Sequence, residues 1–539
     1  MTPQTRAADV LAQRLYQAGC RHAFGMPGGE VLTLVDALNR AGIEFVLVKH
    51  ENAAGFMAEA VWARTGAPGI LIATLGPGAL NGINSVGNAH QDRVPLIVLT
   101  GCVDEDEAQT YTHQVLDHAA VFAPITKASL RLSTGSADVI ADKAVTIATE
   151  PRPGPVHVDV PISVAVAAAP PPSPFARRQL ASPAAPAGPD LDTARAWLAE
   201  ADRPIMVVGL DALNEGAGAA VQTFAEAHGV PFVTTYRAKG IVDESHPLCL
   251  GGAGLSPLAD ATLVPLVQSA DLILTLGYDP IEMRPGWRNI WDASLDRVIE
   301  IAPVPNHHYM HQSSLTFQAG VAESLKALSA GAPPRATWSD KAPDAARAAL
   351  ACAFPTGADW GPGAIVATAR ATLPPDTIAT VDSGAHRILL SQMWTCPGPR
   401  SLLQSSALCT MGCAIPLALG AAIVEPDRPV VAFTGDAGFL MVAGELATAQ
   451  ERGLKPIIVV FVDASLALIE LKQRQRQLPN SAVDFARHDY AAIGQAFGGH
   501  GVTVSDRAGL QAALRDALTA DRFTVIAAIF DKEAYDGRI

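Results

Sequence analysis

Charge is scarce in this 539-residue chain: 17% of residues are Asp, Glu, Lys or Arg, and only 6% are aromatic. With 49% hydrophobic residues the chain can bury sizeable cores, which excludes a disordered protein. Basic residues are outnumbered, 39 to 53, and the formal net charge of −14 argues against nucleic acid as a partner. The seven cysteines, at 20, 102, 249, 352, 396, 409 and 413, lack the paired spacing of a disulfide framework or a zinc site. Reduced thiols in a cytoplasmic protein are the expectation. Met1-Thr2-Pro3-Gln4-Thr5-Arg6 has no apolar signal-peptide core, and no apolar run reaches membrane-spanning length, so no membrane association is expected.

What is present is alternation. Short β-branched runs such as Glu44 to Val48, Ile70 to Thr74, Pro95 to Thr100, Pro204 to Val208 and Leu272 to Leu276 are separated by amphipathic stretches of helical period. That pattern predicts parallel sheets covered by helices on both faces. Two breaks rich in Ala and Pro, Ala167 to Pro189 and Ala332 to Thr337, read as linkers. The expectation is three α/β domains with doubly wound parallel sheets, over residues 1–168, 188–330 and 355–539.

Two of the predicted strands end in an acid. Pro429 to Phe433 leads to Gly435-Asp436-Ala437-Gly438, and Pro456 to Val462 leads to Asp463-Ala464-Ser465, with one helix, Ala443 to Arg452, expected between them. Ligands of parallel sheets bind at such strand tips, and hard carboxylate oxygens beside helix N-termini suit Mg²⁺ shared with a diphosphate. In the first third, Glu51 stands where the strand before Lys49 gives way to a helix with Ala53, Ala54, Met57, Ala60 and Val61 on one face. Glycine-rich turns lie around it, at Gly25-Met26-Pro27-Gly28-Gly29 and Gly76-Pro77-Gly78.

Gly435-Asp436-Ala437 through Val462-Asp463 resembles the diphosphate motif of thiamine-diphosphate enzymes, which opens Gly-Asp-Gly and closes Asn-Asn. Ala437 and the pair Val462-Asp463 are departures, and Asp remains a good magnesium ligand. The order of Glu51, the glycine turns, His113-Gln114 and Gly154 to Pro161 resembles the pyrimidine-binding domain of the acetolactate synthase and 2-oxo acid decarboxylase superfamily. The resemblance covers nearly the whole chain and implies pyrimidine-binding, central and diphosphate-binding domains in that order.

The resemblance further implies residue roles. Glu51 would hold the aminopyrimidine ring nitrogen and so activate the coenzyme's own base. Met411, in Ala407-Leu408-Cys409-Thr410-Met411-Gly412, would be the apolar wedge that bends the coenzyme, with the Cys409 carbonyl accepting from its amino group. Gly384 and His386 would meet phosphate oxygens, as would Gly435 and the amides of Ala437 and Gly438. Gly28 and Gly76 would border the pyrimidine. Asp436, Asp463 and the carbonyl of Ser465 would hold Mg²⁺. One coenzyme touching both outer domains implies a homodimer or homotetramer with the site between subunits.

For the reaction, Gln114 matches a glutamine near the reactive carbon of acetolactate synthases. Pyruvate decarboxylases place an acid where the ungapped match here is Ile469, with Glu470 one residue further on. A missing acid favours joining the two-carbon unit, from a 2-oxo acid such as pyruvate, to a second 2-oxo acid. The alternatives are simple decarboxylation or transfer to another acceptor. Lys472-Gln473-Arg474-Gln475-Arg476 is either an anion-attracting segment or a solvated helix face. FAD, which the central domain of biosynthetic relatives binds, stays open on Gly251-Gly252-Ala253-Gly254, Arg284 and Arg288.

Overall fold

The computed structural model describes residues 5–174, 184–331 and 333–539. Met1 to Gln4, part of the first linker and Ala332 of the second lie outside the described residues. Three six-stranded sheets carry the fold, and every strand pairing in them is parallel. The first contains β1 (His22–Met26), β2 (Glu44–Leu47), β3 (Gly69–Ala73), β4 (Leu96–Cys102), β5 (Ala128–Arg131) and β6 (Val156–Pro161). The second contains β7 (Pro204–Val208), β8 (Phe232–Thr234), β9 (Cys249–Gly252), β10 (Leu272–Leu276), β11 (Val298–Ala302) and β12 (Leu315–Gln318). The third contains β13 (Ile378–Val381), β14 (Leu402–Gln404), β15 (Val430–Gly435), β16 (Ile457–Val462), β17 (His500–Val504) and β18 (Thr524–Ile529).

The α/β expectation therefore holds. Central strands such as β3, β4, β7, β10 and β16 are buried along their whole length, which is why they read as continuous apolar runs. The outer sheets share one topology. Their strand orders are β2-β1-β3-β4-β6-β5 and β14-β13-β15-β16-β18-β17, so each reverses direction at the pair formed by its first and third strands. The middle sheet differs, with order β9-β8-β7-β10-β11-β12, the arrangement of dinucleotide-binding folds.

The outer domains share a core. The helix Glu51–Thr65 packs on the helix Ala414–Val424, so Phe56, Met57, Leu417 and Ala421 lie in one buried cluster. One expectation fails here. Between β15 and β16 the chain forms two helices, Asp436–Val442 and Glu445–Glu451, in place of one over Ala443 to Arg452. The break at Gly444 aims Glu445 at the first domain, where its Oε1 accepts from the backbone N–H of Lys49 (2.9 Å) and of His50 (3.0 Å). Two amides at a helix start find their acceptor in another domain, which a single continuous helix would not supply.

Candidate active site

Ligand sites in doubly wound sheets open where the strand order reverses. In the third sheet that point lies between β13 and β15, and three strands there end in an aspartate: Asp382 after β13, Asp436 after β15 and Asp463 after β16. Asp436 Oδ1 accepts from the amide of Ala437 (2.8 Å), and Oδ2 from those of Asp463 (3.2 Å) and Ala464 (2.7 Å). Asp463 Oδ1 accepts from the amide of Ser465 at 2.9 Å. Burial pushes the Asp436 carboxyl up, against these amides. Burial and the charge of Asp436 push Asp463 further, to about 8.

Two buried carboxylates that repel one another, whose hydrogen-bond donors among the described residues are backbone amides, form a donor set that fits a hard divalent cation. Beside them is a cavity of about 170 Å³ whose lining includes Gly384, His386, Cys409, Met411, Gly435, Ala437, Gly438 and Ser465. Every one of its lining residues lies between 383 and 535, and Glu51 is not among them.

Asp382 organises this cradle, and the sequence reading had given it no role. Fully buried, it accepts at Oδ2 from the amide of Gly412 (2.7 Å) and from Thr434 Oγ (3.1 Å), and at Oδ1 from His386 Nε2 (2.9 Å). A Cβ on Gly438 would stand 1.9 Å from Asp382 Oδ2, so only glycine fits there. With Nε2–H committed to Asp382, His386 can donate to a phosphate only from Nδ1, as the doubly protonated ring. Its position at a strand tip, like Asp436 and Asp463, was the signal that could have found Asp382. Cys409 takes φ of +54°, a left-handed backbone conformation that glycine adopts at lower cost. Met411 is half-buried on the cavity wall.

The first sheet reverses between β1 and β3, and its tips carry the other predicted residues. Glu51, 5% exposed, opens its helix and accepts at Oε2 from Asn81 Nδ2 at 2.9 Å, a partner the sequence did not suggest. The turn after β3 brings Gly78 against Glu51 Oε1. Gly76 has φ of +66°, and a Cβ added there would stand 2.9 Å from the Cβ of Gln114, so turn and loop touch. Gln114 itself is exposed, and Gly28 sits beside Thr74.

The comparisons settle the family. The N-terminal thiamine pyrophosphate (TPP) binding domain of thiamine pyrophosphate enzymes matches residues 5–121, the central domain of these enzymes 191–328, and their C-terminal TPP binding domain 382–528. An acetolactate synthase of Bacillus subtilis is 30% identical, covering 97% of this chain and 93% of that protein. This chain is a thiamine pyrophosphate enzyme. The large subunit of acetolactate synthase isozyme 1 of Escherichia coli is 30% identical over 95% of this chain and 91% of its own. A probable 2-ketoarginine decarboxylase of Pseudomonas aeruginosa is also 30% identical, over 92% of this chain and 89% of its own. The chain is accordingly a thiamine-pyrophosphate-dependent, acetolactate-synthase-like enzyme of the C–C bond-forming kind.

The flavin question turns on the middle sheet, which reverses between β7 and β10. The chain's own side chains fill the tips there. Arg152 Nε donates to Asp211 Oδ2 (2.9 Å), Arg152 also reaches Asn306, and Arg93 pairs with Asp279 at 2.9 Å. Tyr236 packs against Gly252, and Met283 against Gly254. Acids paired with internal arginines do not fit a dinucleotide diphosphate, so no step is assigned to flavin. No described helix is long and apolar enough to cross a membrane.

Proposed function

We propose that this enzyme is a carboligase of acetolactate synthase type, decarboxylating a 2-oxo acid, pyruvate by that resemblance, and joining the two-carbon unit to a second 2-oxo acid. The observation that carries this reading is the direction of two neighbouring side chains. Ile469 lines the cavity beside Asp436, whereas Glu470 is buried and accepts from Arg474 Nε at 2.8 Å. Arg474 also donates to Asp536 at 2.6 Å, which ties the acid down further. Where Ile469 stands, the cavity wall carries no acid to protonate a two-carbon carbanion equivalent, which favours its capture by a second carbonyl.

Thiamine diphosphate, bound across this site, supplies a carbanion for the keto carbon and a sink for the electrons left by CO₂. Glu51, steadied by Asn81, would hold the proton at the aminopyrimidine nitrogen. Met411 and the Cys409 carbonyl would orient the ring, and Gln114 would face the substrate. Asp436, Asp463 and the Ser465 carbonyl would hold Mg²⁺, while Gly384, His386, Gly435 and the Ala437 and Gly438 amides would receive the diphosphate. Gly28 and Gly76 would border the pyrimidine. We take residues 1–168, 188–330 and 355–539 as the three domains.

Glu51 and the cradle lie in different domains, and exposed Leu408, Leu440 and Met441 (62% exposed) flank the cradle. Both features support a homodimer or homotetramer in which a second copy covers each half-site. The free thiols suit a reducing cytoplasm. Purified protein given pyruvate, Mg²⁺ and coenzyme should form acetolactate. Acetaldehyde as sole product would move the assignment to the decarboxylase reading that the Pseudomonas relative favours.

A further inference from the structure

Beneath the Gly76 turn lies a buried polar chain that the proposed chemistry does not use. Asp159, on β6, accepts at Oδ1 from Thr100 Oγ (2.6 Å) and from His118 Nδ1 (2.9 Å). The opposite ring nitrogen of His118, Nε2, accepts from the backbone N–H of Gly76 at 3.3 Å. Farther in, Thr100 Oγ meets His157 Nε2 at 2.7 Å, and Ser129 Oγ meets His157 Nδ1 at 2.7 Å.

One proton arrangement with neutral rings satisfies all of these contacts. The Thr100 hydroxyl gives its one proton to the carboxylate, so His157 donates from Nε2 and accepts the Ser129 proton at Nδ1. The Gly76 amide can only donate, so His118 is bare at Nε2 and protonated at Nδ1, towards Asp159. Burial by itself would raise the Asp159 carboxyl, but hydrogen bonds from His118, His157 and Thr100 outweigh it and hold the group well below the usual range. His118, His157 and Asp159 lie close enough to suggest a metal site, with ligand atoms within 4.8 Å of one another. Each ring nitrogen already has a hydrogen-bond partner, and a cation would have to displace them.

His118 sits four residues beyond Gln114 and opens the short helix His118–Phe122, so its backbone directly follows the Gln114 loop while its ring meets the Gly76 turn. That turn leads to Gly78, against Glu51, and to Asn81, the Glu51 donor. We propose that His118 is a positioning residue. Oriented by Asp159, its neutral imidazole pins the Gly76 amide and thereby sets the distance from the Gln114 loop to the Glu51–Asn81 pair. The functional half of this inference rests on the carboligase reading; the structural half does not.

Two polar variants of the full-length enzyme, loaded with coenzyme and Mg²⁺, test it. His118→Asn keeps a donor where Nδ1 stands and loses the acceptor at Nε2, whereas His118→Gln keeps an acceptor within reach of Gly76. Hydrogen exchange of peptides spanning residues 74–82 should quicken by about 10-fold in the Asn variant, the effect of one lost hydrogen bond, and stay near wild type in the Gln variant. The Asn variant should also release more aldehyde per acetolactate, with the Gln variant restoring the ratio. Unchanged exchange in the Asn variant, equal exchange in both variants, or an unchanged product ratio in the Asn variant would overturn the inference. A wild type that makes no acetolactate would instead defeat the carboligase reading, and the exchange comparison would still decide the role of His118.

Discussion

The first and third sheets have the same strand order and present buried acids at their strand tips, yet they handle those acids in opposite ways. Glu51 takes a neutral side-chain partner, the Asn81 amide. Asp436 and Asp463 face one another, are satisfied by backbone amides, and are driven towards protonation by burial and mutual repulsion. An acid with a neutral partner suits proton sharing with a heterocycle; a crowded pair suits a divalent cation. Identical topology thus supplies the location, and the local charge count decides the chemistry.

The comparison can be broken first at Glu51. Glu51→Gln should lower turnover by about 100- to 10,000-fold, the usual weight of a general acid or base. Coenzyme affinity, measured by calorimetry, should change little. A parallel collapse in affinity would show that Glu51 only anchors.

At the other end, Asp463→Asn should weaken magnesium binding by more than about 100-fold, since loss of mere supporting groups already costs 10- to 100-fold. The pH dependence has a definite sign. The folded pKa of Asp463, about 8, lies above the unfolded carboxyl value of about 4, so the native state holds the proton more tightly. Without metal, stability should therefore fall as pH rises from about 4 to about 8. Melting temperatures in chelator across that window should show the slope in wild type and a flatter profile in Asp463→Asn. Magnesium affinity in wild type should weaken as pH is lowered through that same pKa.

A sharper probe of the reaction lies on the cavity wall. Ile469→Glu should place an acid beside the coenzyme and shift the product ratio towards aldehyde by about 10-fold, equivalent to about 1.4 kcal/mol between competing barriers. Product analysis reads this directly. The smallest effect belongs to Arg474→Ala, because its guanidinium is itself exposed and its pairs with Glu470 and Asp536 are worth about 1 kcal/mol. Its melting temperature should shift by only a few degrees.

Much of this was legible before any tertiary information. Asp436 and Asp463 announced themselves because each follows an unbroken apolar strand, and Glu51 because a helix-period pattern begins at it. Asp382 follows a strand in the same way but drew no role, since nothing local shows that it gathers Gly412, Thr434 and His386. The break at Gly444 was missed because its cause, two amides of the first domain, lies almost 400 residues away in sequence.

By itself the sequence determined the alternation of strands and helices, the three sheets and the strand-end acids, because each follows from periodicity within a short window. Only the tertiary structure decided that Asn81 supports Glu51, that Glu470 turns to Arg474 while Ile469 faces the cavity, and that arginines of the first domain fill the central crevice. Those outcomes are choices of hydrogen-bond partner between distant segments, and burial makes each choice costly to leave unmade.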